Sequence, residues 1–191
     1  MIKAIFFLGN PGKRYETTRH NAAWMLCDRL IRTYHLTEEW KNKFHAVYRE
    51  AFNLATGKII LCRPQTYMNK SGISVRELSR FYRLSGEEIL VIHDDLETSY
   101  GTLTMQFSGG HGGHNGVRSV VTEFGTKDFY RLKIGIGRPA RGSVSSYVLS
   151  RFSPDEDISL DRVLKEAEEF LVSKVLSSLP SKTKSRIPFS L

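Results

Sequence analysis

The stretch IKAIFFLGNPGKRYETTRHNAAWMLCDRLI, residues 2–31, decides the fold. Its opening run of Ile2, Ala4, Ile5, Phe6, Phe7 and Leu8 is apolar without alternation, which suits a strand buried on both faces of a sheet. Asn10-Pro11-Gly12 reads as a turn, because proline fixes φ and glycine accepts positive φ. Ala23, Leu26, Cys27, Leu30, Ile31 and Tyr34 then recur at helical spacing and predict an amphipathic helix, with Thr17 or Thr18 as its N-cap. The loop between them leaves the carboxyl end of a central strand, where open α/β sheets hold their binding crevices. His20 falls in or near the first helical turn. There the macrodipole disfavours imidazolium and favours the neutral ring that a general base needs.

Outward from this stretch, strands and helices alternate. Residues 35–43 are polar and turn-like, and residues 44–54 have mixed strand character. Ala55-Thr56-Gly57-Lys58 turns the chain into Ile59-Ile60-Leu61-Cys62, so that the pair reads as a hairpin closed by Pro64. Residues 65–72 form a polar loop, with Ser71 as N-cap of a helix that turns Val75, Leu78, Phe81 and Tyr82 inward. Arg76, Arg80 and Arg83 make a positive stripe on its outer side. Ile89-Leu90-Val91-Ile92 is a short buried strand running into His93-Asp94-Asp95. A strand over residues 103–107 opens into a glycine-rich loop at residues 108–116, followed by a helix with Val117, Val120, Val121 and Phe124 on one face. Leu132, Ile134 and Ile136 alternate through a further strand. Ser153-Pro154-Asp155-Glu156 combines an N-cap, proline at N1 and glutamate at N3, and starts a helix reaching about Ser177. The class is α/β: a single domain, residues 1–180, with a twisted mixed, mostly parallel sheet flanked by helices. Residues 181–191 are expected to form a mobile basic tail.

The 191 residues are enough for one domain with a real core. With 28 Lys+Arg against 20 Asp+Glu, the net charge of +8 favours nucleic acid or another anionic partner. Cys27 and Cys62 sit in apolar patterns, too few for a disulfide framework and not at zinc spacing, which fits reduced thiols in a cytoplasmic protein. Neither an export signal nor a membrane span is indicated.

Residues 10–20, 93–95 and 109–115 are loops or strand ends with polar groups that a core does not require. Brought to one sheet edge, they would assemble a histidine, a carboxylate and two carboxamides. A histidine bonded to an aspartate is held in one tautomer, with its other nitrogen free to take a proton. Asn side chains can hold a carbonyl oxygen or a water without adding charge. The glycine-rich loop fits neither G-x-G-x-x-G nor a P-loop, but it offers backbone N–H groups before a helix, an anion or oxyanion site. His93, Asp94, Asp95, His111 and His114 are metal-ligand types, yet the surrounding glycines make a poor cage, and no metal or cofactor is expected. With no G-x-S-x-G elbow and no cysteine in a polar loop, hydrolysis would use water directly.

Taken in series, LGNPGKRYETTRHN, TYMNKSG, ILVIHDDL, GGHGGHNGVRS and RLKIGIGRP resemble the bacterial-type peptidyl-tRNA hydrolase family over about residues 3–152. The resemblance implies cleavage of the ester joining a peptide to the terminal ribose of tRNA, with His20 catalytic and Asp94 orienting it. It implies that Asn10, Asn69 and Asn115 hold substrate and water, while Tyr15, Met68 and His114 line the crevice; Tyr67 is counted with them. It further implies a cytoplasmic monomer that binds peptidyl-tRNA by its acceptor arm, without a metal. Arg118, Lys133 and Arg138 are candidate phosphate contacts, together with the arginine stripe and the basic tail. The chain departs from the family pattern at Phe7 and Ala23, where glycines are usual, and at Asp95-Leu96-Glu97, where Glu-Leu-Asp is commoner. Lys133 replaces an arginine, and Gln106 stands where a basic residue usually holds phosphate. The alternative reading is a non-catalytic RNA-binding relative of the same fold.

Overall fold

The computed structural model describes residues 1–54, 57–178 and 180–188. Its elements in chain order are β1 (Ala4–Phe7), α1 (Ala22–Thr33), β2 (Lys41–Lys43), β3 (Ala46–Ala51), β4 (Ile59–Pro64), α2 (Ser71–Tyr82) and β5 (Ile89–Asp95). There follow β6 (Thr102–Phe107), α3 (Asn115–Phe124), β7 (Tyr130–Gly135), α4 (Val144–Val148), α5 (Pro154–Phe170) and β8 (Ser185–Pro188).

The eight strands form one sheet in the order β2-β3-β4-β1-β5-β7-β6-β8. The four central strands β4, β1, β5 and β7 run parallel, and two strands at each edge are antiparallel. The unbroken apolar runs explain the centre: every residue of β1 and β5 is buried, as strands covered on both faces require. On one face Ile5, Phe7, Leu90, Ile92, Leu132 and Ile134 join α1 and α5 in a core. On the other, Phe6, Leu8, Ile60, Cys62 and Val91 pack under α2 and α3. Helices α2 and α3 cross closely enough that a Cβ on Gly72 would lie 2.1 Å from the Ser119 carbonyl oxygen, so only glycine fits there.

The β3–β4 hairpin is as expected, although Ala55 and Thr56 of its turn lie outside the described residues. Other details differ. Ser71 is the first residue of α2, with Lys70 at the N-cap position. Phe81 faces solvent, 57% exposed, beside Phe44 at a ring-centroid distance of 5.1 Å. Helix α2 ends at Tyr82, and Arg83 takes a left-handed C-cap conformation at φ 54°, so the arginine stripe does not continue along one helix. Residues 185–188 are not a free tail: they pair antiparallel with β6, from Thr102↔Pro188 to Met105↔Ser185. Residues 189–191 lie outside the described residues. No helix among the described residues is long and apolar enough to cross a membrane.

Candidate active site

The loops that follow β1, β4 and β5, together with the loop leading into α3, open on one end of the sheet and enclose a cleft of about 300 Å³. Asn10, His20, Tyr67, Met68, Asn69, Asp94, His114 and Asn115 all line it. Tyr15 does not; it stands behind Tyr67, ring edge to face at 6.4 Å.

Asp94, at the end of the fully buried β5, anchors the cleft. His20 Nδ1 lies 2.8 Å from its Oδ1, and His114 Nε2 lies 2.9 Å from the same oxygen. The tautomer of His114 follows from its other nitrogen: Nδ1 accepts the backbone N–H groups of Gly116 at 3.1 Å and Val117 at 3.2 Å, so Nε2 carries the proton and donates to Asp94. His20 likewise donates from Nδ1, which leaves Nε2 with a free lone pair. His93 turns to the opposite side of β5 and donates from Nδ1 to the Asp94 carbonyl at 2.6 Å. Burial, then the neighbouring His114, push its pKa well below the ordinary value, so His93 is neutral.

The electrostatics of His20 differ from the sequence expectation. It lies in a short 3-10 turn, Arg19–Asn21, ahead of α1, and the helix dipole does not decide its charge. Burial opposes the imidazolium, but the charge of Asp94 and the hydrogen bond to it outweigh burial and raise the pKa above its ordinary value. Burial likewise works against the Asp94 carboxylate. Its two bonded partners, His20 and His114, prevail and hold its pKa far below the usual range.

The remaining polar groups are held as firmly. Asn10 Oδ1 accepts the Met68 N–H at 2.8 Å, which fixes the orientation of the carboxamide and directs its Nδ2 to the cleft. The Asn21 side chain accepts from the Asn10 N–H at 2.9 Å and donates to the Asn10 carbonyl at 3.0 Å, clamping the first loop to the His20 turn. Asn115 Oδ1 accepts from Arg118 Nη2 at 2.9 Å, so its amide is left to the cleft. A Cβ on Gly116 would come within 2.4 Å of the Met68 sulfur, so glycine lets the β4 and α3 loops meet. The expected oxyanion site of free backbone N–H groups at α3 is not present in that form. His114 caps Gly116 and Val117, and His111 Nδ1 accepts the Gly113 N–H at 3.1 Å.

The ligand atoms of His20, Asp94 and His114 lie within 4.8 Å of one another, the spacing of a metal site. As bonded, however, both histidines point protons at the carboxylate, where a cation would need their lone pairs.

The family model for peptidyl-tRNA hydrolase matches residues 4–187. The chain belongs to the peptidyl-tRNA hydrolase family. The peptidyl-tRNA hydrolase of Geotalea uraniireducens is 45% identical over 179 residues, covering 94% of this chain and 93% of its own. That of Symbiobacterium thermophilum is 45% identical over 185 residues, covering 94% of this chain and 97% of its own. The crystal structure of peptidyl-tRNA hydrolase from Acinetobacter baumannii superposes with a TM-score of 0.80 at 37% identity, over 93% of this chain and 92% of that one.

Within this peptidyl-tRNA hydrolase fold, several site features escape sequence reasoning. Val144, Val148 and Leu149, in and just after α4, form an apolar wall of the cleft. Arg19, next to His20, is buried and bonds Ser150 Oγ at 2.7 Å and Glu156 Oε2 at 2.5 Å. Glu156 also completes the capping box of α5, so the C-terminal helices are tied directly to the His20 turn. The part His114 plays as the N-cap of α3 is not legible in sequence, because histidine is not among the usual N-cap residues. Of the candidate phosphate contacts, Arg118 is held by Asn115, Arg138 pairs with Glu97, and Lys133 Nζ stands 4.0 Å from Asp95. Phe7 on β1 and Ala23 on α1 are both fully buried in the core that these two elements share.

Proposed function

We propose that this chain is a peptidyl-tRNA hydrolase that cleaves the ester between a peptide and the terminal ribose of tRNA. The observation that carries the reading is the His20–Asp94 pair: an imidazole donating at 2.8 Å to a buried carboxylate, in a cleft edged by the carboxamides of Asn10, Asn69 and Asn115. In the proposed mechanism His20 Nε2 takes a proton from water as the oxygen adds to the ester carbonyl. Such general-base assistance is typically worth about 10²–10⁴-fold. Asp94 holds the tautomer and stabilises the imidazolium as it forms. The carboxamides donate to the tetrahedral oxyanion, and losing one such donor costs on the order of 10²–10³-fold. Collapse of the intermediate breaks the bond to the ribose oxygen, which recovers the proton from His20. The peptide lies against the apolar wall of Val144, Val148 and Leu149, and Tyr67 and Met68 frame the terminal nucleotide.

The test is release of an N-acetyl-aminoacyl group from tRNA by the wild-type chain, with and without EDTA. The reading predicts release that EDTA leaves intact. Binding of tRNA without release would favour an RNA-binding relative, and loss of release with EDTA would favour a metallohydrolase.

A further inference from the structure

The face of the sheet opposite the α1 core carries cations that the hydrolytic cleft does not use. His93, Lys133, Thr104 and Arg186 are successive register partners across β5, β7, β6 and β8. Two residues along, Arg131 is the partner of Gln106; Lys184 directly precedes β8, whose register with β6 ends at Met105↔Ser185, and its charge is felt by Lys133. Because side chains alternate with period two, these residues share one face. Leu103, Met105, Leu132, Ile134 and Ile187 occupy the other.

This face is unbalanced in charge. Lys133 lies 4.0 Å from Asp95, whereas neither Lys184 nor Arg186 forms an ion pair among the described residues, and both are exposed. Arg131 is fully buried and, among the described residues, has no carboxylate partner and no partner for its Nε; it donates to the Gly109 and Gly110 carbonyls at 2.7 Å. Burial lowers the pKa of Lys133; Asp95 opposes this, and Lys184 and Arg131 add to it, as expected of cations brought close together. Arg186 also lines a concavity of about 230 Å³ with Thr98, Ser99, Thr102 and Pro188, placing hydroxyls beside a guanidinium.

The strand that supplies these charges is held in place. Tyr130 Oη donates to the Pro180 carbonyl at 2.9 Å, Lys182 pairs with Glu87 and lies over the Phe107 ring, and Ile187 packs on the core. We infer that β8 and the residue before it form a substrate-binding edge, in which Lys184 and Arg186 grip backbone phosphates of the tRNA whose ester lies in the cleft. The inference rests on the peptidyl-tRNA reading and extends it from the ester to the RNA. Arg186 lies three strand spacings from His93, roughly 14 Å, so the RNA backbone would cross the sheet edge as it leaves the cleft.

Deacylated tRNA binding, measured over a range of salt concentrations, tests the inference with the full-length chain. The double variant Lys184→Ala/Arg186→Ala should bind about tenfold more weakly, and its log–log salt slope should be shallower by roughly 1.4–1.8, the loss of two phosphate contacts. Arg186→Lys alone should keep most of the affinity. Adding Gln106→Lys to the double variant should recover part of it by returning a cation to the same face. A double variant with wild-type affinity and slope overturns the inference; so does weaker binding with an unchanged slope, which would mark β8 as structural support. A wild-type chain that binds through β8 yet releases no peptide supports the phosphate-binding strand and overturns the hydrolase reading instead.

Discussion

His20 sits between opposing influences: burial favours the neutral ring, and Asp94, 2.8 Å away, favours the imidazolium and prevails. A general base works only when neutral, so activity should be lost as pH falls through a value above the ordinary 6.5 of histidine. Asp94→Asn removes the opposing charge and leaves burial to act alone. Its acid limb in kcat/KM should therefore move to lower pH, while the plateau rate falls by on the order of 10²–10⁴-fold as the tautomer is lost. A pH–rate profile of both proteins checks this, and an acid limb unmoved by the substitution would contradict the coupling. The residues that meet Asp94 were legible only in part. His20 and Asp94 stand out as polar residues next to apolar strands. The roles of His114 as helix cap and of Asn21 as loop clamp depend on backbone groups that sequence does not display.

Among the elements, the crossing of α2 and α3 is the most constrained. Alanine is the better helix former by about 1 kcal/mol, so Gly72→Ala on an exposed helix would stabilise. Here its Cβ would meet the Ser119 carbonyl oxygen at 2.1 Å, and the substitution should instead cost about 1–3 kcal/mol. Thermal unfolding would read a lower Tm, and a raised Tm would show that the crossing has room. Ser153→Ala, which removes the α5 capping box, should cost about 1 kcal/mol by the same measurement. Long periodic helices and continuously apolar strands could be read from sequence because burial imposes their pattern. Short elements could not: α4 is five residues, VSSYV, too few for a helical period to show, and β8 has Ile187 as its apolar anchor on the core side. Phe81 fits the inward period of α2 but pairs with Phe44 at the surface, where the helix runs past the edge of the core.

For the whole molecule, the parallel centre of the sheet delivers the chemistry, and the antiparallel edge at β8 adds exposed cations. Strand β5 delivers Asp94 from between two cores, while the sheet edge beyond β7 carries cations on the face that α1 and α5 leave open. With a net charge of +8, tRNA affinity should fall steeply with salt, whereas the rate at saturating substrate should change little. A salt-insensitive dissociation constant would contradict a phosphate-binding surface. One histidine, held by one buried carboxylate, is proposed to turn a tRNA-binding surface into an esterase. The most direct test is release of N-acetyl-aminoacyl groups from tRNA by wild type and His20→Ala, with tRNA binding followed in parallel. Release by His20→Ala should be reduced at least about 10²-fold with binding retained; equal release by the two proteins would show that His20 is not the base.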